Sequence, residues 1–140
     1  LKLYNLYKHI ILEASVRNND IVDSIDRHKV ISIFYDGDGI ENRGYRDIEP
    51  YCYGNSKDDN PVLRGYQLAG VTDTEVPGWK LFRIDKIVSW DEKIDNNISV
   101  VFNEPQDGFN PNGDNGMNRV IKIAKFKNYG RHKPIKTNFR

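Results

Sequence analysis

Between Val30 and Phe102 the chain is cut into short β-branched and aromatic runs by clusters of turn formers, and this rhythm limits the fold more than any other feature. Val30, Ser32 and Phe34 fall on one face of an alternating run and Ile31, Ile33 and Tyr35 on the other, which predicts a mostly buried strand. Asp36-Gly37-Asp38-Gly39 ends it with residues that accept positive φ. Tyr45 to Tyr53 is the next predicted strand, with Pro50 placing it at an edge or a bulge. After the polar loop from Gly54 to Pro61, strands are predicted over Val62 to Ala69 and, beyond Pro77-Gly78, over Trp79 to Ile84. Asp85 to Trp90 continues or bends from the latter, and Ile98 to Phe102 is a fifth strand. Short strands at this spacing point to a small antiparallel barrel or sandwich and not to alternating βαβ units.

Helical periodicity appears only outside this region. Leu3, Leu6, Tyr7, Ile10, Ile11 and Ala14 form one stripe, predicting an amphipathic helix over residues 3–17 whose apolar face either completes the core or forms a seam between chains. A second, short helix is expected from Asp20 to about His28, capped by the preceding asparagines, with Ile21, Val22 and Ile25 inward. Pro105 to Gly116 is a long loop of Gly, Asn, Asp and Pro. In Met117 to Lys127, Val120, Ile121 and Ala124 suit a helix capped by Asp114 or Asn115, and a helix is expected, although Ile121 and Ile123 also fit a strand. Residues 128–140 are polar and basic and are expected as an extended arm. The fold expected is therefore mostly β (α+β), one domain over 1–127, with a barrel core at about 29–103 and a basic tail.

The 140 residues match the usual size of one domain, which needs no disulfide framework. The single cysteine, Cys52, implies a reducing compartment, so a cytoplasmic location is expected. No apolar run approaches the length of a membrane span, and no membrane partner is expected. Charge is unevenly spread. Residues 1–114 hold 13 Lys/Arg against 20 Asp/Glu, whereas residues 115–140 hold 8 Lys/Arg and no acid. An acidic body with a basic end either meets phosphate or an acidic partner, or simply stays solvated.

Little favours catalysis or metal binding. Asp36-x-Asp38 and Asn110-x-Asn112-x-Asp114 invite a calcium reading, but the glycine and glutamate that an EF-hand loop needs are absent from both. His9, His28 and His132 lack metal-ligand spacing, and Cys52 lies between two tyrosines in a strand, a setting for an inert thiol. No nucleophile-elbow or phosphate-loop pattern occurs among the glycines. The expectation is a protein that is not an enzyme and has no cofactor.

The stretch from Ile21 to Ile87 resembles the WYL domain. A short helix runs straight into a strand at Ile21 to Tyr35; Tyr45-Arg46-Asp47-Ile48-Glu49-Pro50-Tyr51 is similar to the family's arginine-to-proline segment; and Phe82-Arg83-Ile84-Asp85-Lys86-Ile87 is similar to its Phe-Arg-Leu-Asp-Arg-Ile signature. The name-giving Trp-Tyr-Leu aligns with Pro61-Val62-Leu63, where only the leucine is kept. The resemblance implies a small SH3-like or Sm-like barrel and a role in sensing ligands, often nucleic acids or nucleotides. The segments before the first strand are too short for a winged helix-turn-helix.

On this reading Arg46, Arg64 and Arg83, with Tyr66 and Tyr51 on neighbouring strands, form a ligand site, since guanidinium groups bind phosphate bidentately and aromatic faces stack on bases. Lys125, Lys127, Arg131 and Lys133 in the basic end add phosphate contacts. The competing reading pairs Arg83 with Asp85 or Glu49 as a salt bridge. The function expected is a binding module for nucleic acid or a nucleotide-type ligand. The alternative is a structural or assembly subunit, as a virus or mobile element would use in host cytoplasm or virion, docking a protein partner or a second copy through the first helix and the tail.

Overall fold

The structure, a computed structural model, describes residues 16–72 and 74–127. Apart from Val16 and Arg17, the helix expected over residues 3–17 lies outside the described residues, as does the arm at 128–140. Strand outweighs helix, as the sequence predicts.

The one α-helix, α1 (Asn18–Asp26), begins after Arg17, which offers no side-chain cap, so the asparagines lie within its first turn and do not cap it. It buries Ile21, Ser24 and Ile25. Ser24 Oγ donates to the Asp20 carbonyl and accepts from Trp90 Nε1 at 3.1 Å, tying the helix to the sheet. The main sheet comprises β1 (Ile31–Tyr35), β2 (Gly44–Ser56), β3 (Pro61–Gly70), β4 (Gly78–Arg83) and β5 (Ile87–Glu92), in the order β4-β3-β2-β1-β5 and antiparallel throughout. The inner face carries Ile31, Ile33, Tyr35, Ile48, Leu63, Phe82 and Ile87, which form one buried cluster with Ile21 and Ile25.

The end strands β4 and β5 are linked by a 3-10 turn at Ile84–Lys86, and no ladder joins them among the described residues. The Arg83 N–H at the end of β4 instead donates across to Tyr35 Oη of β1 at 3.0 Å. The expected barrel is therefore an antiparallel sheet that stays open along one seam.

Strand β2 organises the molecule because it changes partner midway. Up to Ile48 it pairs with β1; from Cys52 onward the same side pairs with β8 (Met117–Ile123). Pro50 stands between the two ladders, where its missing N–H removes no bond from either. The register with β3 also shifts between Pro50 and Cys52, so Pro50 marks a bulge in a central strand.

Two sequence expectations are corrected here. Met117 to Ile123 is a strand, not a helix. The later half of β2 has an open edge that needs hydrogen-bond partners, and Gly54 lets β8 approach it, since a Cβ there would collide with the Arg119 carbonyl. Ile98 to Phe102 is not a fifth strand of the main sheet. Its first residues form β7 (Ile98–Ser99), paired only with β6 (Ile94–Asp95) around Asn96 and Asn97, both at positive φ. Val101 then makes a single bridge to Lys29. No helix among the described residues is long and apolar enough to cross a membrane.

Candidate functional site

Register places the expected arginines on two different faces. Arg46 shares a face with Ile48 and Ile33, and its side chain enters the core, with 1% exposure. Its guanidinium forms an ion pair with Asp38 at 2.9 Å, donates to the Asn42 carbonyl at 2.8 Å and lies over the Tyr35 ring. Nothing outside the protein can reach it. Arg46 pins the β1–β2 connection and is removed from the expected ligand set.

Arg64 and Tyr66 lie on the outer face of β3, opposite Leu81 and Trp79 of β4, and Arg83 lies on the same face opposite Val62. Arg83 is exposed and closes a two-point contact on Asp85, from Nε at 3.0 Å and Nη2 at 2.7 Å, which is the salt-bridge alternative raised above. Lys125 and Lys127 are exposed beyond β8. The Lys125 carbonyl accepts from His28, whose ring stacks between Phe102 and Phe126. Arg131 and Lys133 lie outside the described residues.

Around Arg64 the outer face is covered by the 105–116 loop, which leaves a pocket of about 230 Å³. Tyr51, Trp79 and Phe109 supply aromatic walls, and Arg64, Asn110, Asp114 and Asn115 supply polar groups. Three ties hold the loop to the sheet. Trp79 Nε1 donates to the Asp107 carbonyl at 2.7 Å, and Gly108, at φ 93, lets the chain pass close over the indole. Gln106 donates from its N–H to Tyr51 Oη at 3.1 Å and from its amide to Glu49 at 3.3 Å. The third tie is the Arg64–Asp114 pair, with contacts of 2.7 and 3.1 Å.

The aromatic walls are braced against one another. Tyr51, the residue bulged out of β2, meets Trp79 edge to face at 4.8 Å and Phe109 at 5.2 Å, while Tyr66 braces the other side of Trp79 at 5.2 Å. The Tyr51 hydroxyl donates to buried Glu49 at 2.7 Å. Burial, and then that bond to a carboxylate, push its pKa well above the usual phenol range. The Cys52 thiol beneath is pushed up to about 12 by burial, with the Asp114 charge adding to it, so it is neutral and unreactive at ordinary pH. Partial burial of Asp114 opposes its charge, but the Arg64 guanidinium and the Gly116 N–H outweigh this and hold its carboxyl below the usual range.

Arg64 is thus half committed. Asp114 takes its Nε and Nη2, and among the described residues Nη1 has no protein partner. A planar cation held rigid on one edge and open on the other, beside a stacking surface, can receive an oxyanion or a carbonyl with little ordering cost. Among the described residues no cluster of His, Cys, Asp and Glu has the grouping to hold a metal ion.

Of the expected set, the structure brings Arg64 to this pocket with Tyr51, and Tyr66 just behind its wall. Sequence reasoning missed Trp79, Phe109 and Asp114. Trp79 had a signal, since it is the first residue after Pro77-Gly78 and stands opposite Tyr66 once the hairpin is drawn. Asp114, 50 residues from Arg64, had none. Compared with known proteins, the chain matches no family model, no curated protein and no solved structure.

Proposed function

We propose that this chain is a non-enzymatic, WYL-like binding module that holds a nucleic acid or nucleotide-type ligand in the cleft between β3–β4 and the 105–116 loop. The observation that carries this is the state of Arg64: one edge fixed by Asp114, the other without a partner among the described residues, in a pocket walled by Tyr51, Trp79 and Phe109. Trp79, the partly exposed member of the aromatic wall, offers a base a sequence-tolerant stacking surface, and the open guanidinium edge offers a phosphate two parallel donors. The pocket lies below the usual range for drug-sized ligands, so it suits one nucleotide unit at a time.

The WYL-like part of the proposal rests on the three motif stretches and on the sheet. They occupy α1 with β1, the first half of β2, and the turn from β4 to β5. An antiparallel sheet whose end strands follow one another through a single 3-10 turn, with no ladder between them among the described residues, is what a small SH3-like or Sm-like barrel opened along its seam presents. Lys125, Lys127, Arg131 and Lys133 then supply long-range attraction for phosphate, in a protein working in the cytoplasm, or in host cytoplasm or virion.

A second reading, an assembly subunit, is favoured by the exposed apolar residues Ile94 and Ile98 on the β6–β7 hairpin, with Val101 beside them. Equilibrium binding separates the two. The binding module predicts that labelled single-stranded DNA or RNA, or a mononucleotide, binds the full chain at low salt and that Arg64→Ala abolishes it while Arg83→Ala weakens it little. Absence of any such binding at low salt removes the first reading and leaves the second.

A further inference from the structure

Arg64 is the one cationic residue lining the cleft among the described residues, and an anion already sits on it. That decides which phosphates the cleft can take. Asp114 is 8% exposed and its carboxylate touches the guanidinium at 2.7 Å, so the pair brings almost no net charge. A ligand oxyanion on the open edge is in contact with Arg64 and lies one guanidinium away from Asp114. The carboxylate therefore cancels much of the attraction that a second ligand charge would gain. The hydration given up by a phosphate, in contrast, grows steeply with its charge. Beyond the pocket, residues 1–114 carry 20 acids against 13 bases, which adds to the same discrimination.

Resting on the nucleotide-binding reading above, we propose that Asp114 is a specificity-determining residue that tunes the cleft to base-bearing ligands whose phosphate carries one charge. Such a ligand is a phosphodiester, from a cyclic nucleotide or a single strand, and not a doubly charged phosphomonoester. Asp114 acts through Arg64, which it orients, and its carboxylate is itself held by accepting from the Gly116 N–H and the guanidinium. The other titratable groups lining the pocket, Tyr51 and Cys52, stay neutral, and Glu49 behind Tyr51 is shielded by the Tyr51 and Gln106 bonds.

The test titrates the full chain with four probes: 3′,5′-cyclic AMP, the dinucleoside monophosphate ApA, AMP and adenosine. At about pH 8 the first two should bind at least roughly tenfold more tightly than AMP, the size expected for one extra charge a few ångströms from a carboxylate in a half-open site. Lowering the pH to about 5 protonates AMP, whose second phosphate pKa is about 6, and should close the gap without changing cyclic AMP. Asp114→Asn should close or invert the gap at about pH 8. The readout is a ratio within one protein, so a variant that is partly unfolded still reports it, and the pH series on the wild type needs no variant. Cyclic AMP above ApA assigns a small cyclic ligand; ApA above cyclic AMP assigns a strand; either supports the charge rule. AMP binding as tightly as cyclic AMP at about pH 8, or a ratio unmoved by Asp114→Asn, overturns the rule while leaving nucleotide binding intact. No binding by any of the four overturns both.

Discussion

Arg64 and Asp114 stand 50 residues apart in sequence and join through two parallel hydrogen bonds, of 2.7 and 3.1 Å, that fasten the 105–116 loop onto the outer face of β3. The pair does two things at once. It seats the loop that forms one wall of the cleft, and it fixes the guanidinium that the cleft presents.

The first prediction follows from the seating. Asp114→Asn keeps the shape and removes the charge, so stability should fall by about 1–3 kcal/mol at neutral pH, the range for a partly buried charged hydrogen bond. The Asp114 pKa is depressed in the folded protein. Its contribution is therefore present above the unfolded-state value of about 3.9 and is lost as pH falls through the lower folded-state value. Thermal melts of wild type and Asp114→Asn should differ at about pH 7 and draw together as the pH falls below the unfolded-state value of about 3.9. A difference that persists unchanged in acid contradicts the assignment.

Arg46 is predicted to matter for folding and not for ligand. Arg46→Ala leaves Asp38 without its partner and opens space beside Tyr35 and Phe82, which should cost about 3–5 kcal/mol in a denaturant titration. The fraction that remains folded should bind ligand with wild-type affinity. A fully stable Arg46→Ala protein that cannot bind would show that the side chain is reached from outside.

Gly54 is predicted to control strand β8. Gly54→Val places atoms where the Arg119 carbonyl lies and should detach residues 117–123 from β2. Hydrogen exchange would then show lost protection over β8, with β1 and β3 still protected. Protection retained across β8 would mean that the strand does not depend on this close approach.

Much of this architecture was legible in the sequence, because period-two alternation reports burial directly. Ile31, Ile33 and Tyr35 alternate with half-exposed neighbours as the pattern predicts. Strand β8 was not legible, since its apolar residues fit either period and the reason for its extension, an open edge on β2 made accessible by Gly54, is not local. Arg46 carried a usable sign: two residues before Ile48 in an alternating strand, it had to face inward with it. The arginine-rich pattern drew it instead into an expected surface set, of whose three arginines only Arg64 lines the pocket. Half of that site, Asp114 and Phe109, comes from a loop whose composition reads as turns, and only its folding over β3 and β4 makes it a wall.

The central claim is that the cleft at Arg64 receives a nucleotide-type ligand, and Trp79 in its wall can report this directly. In a Trp90→Phe background Trp79 is the only tryptophan, so its emission should change saturably on adding single-stranded oligonucleotide or cyclic nucleotide at low salt. Adding Arg64→Ala to that background should remove the change while circular dichroism stays that of the folded sheet. An unaltered Trp79 signal at saturating ligand, or a response that survives Arg64→Ala, would contradict the account.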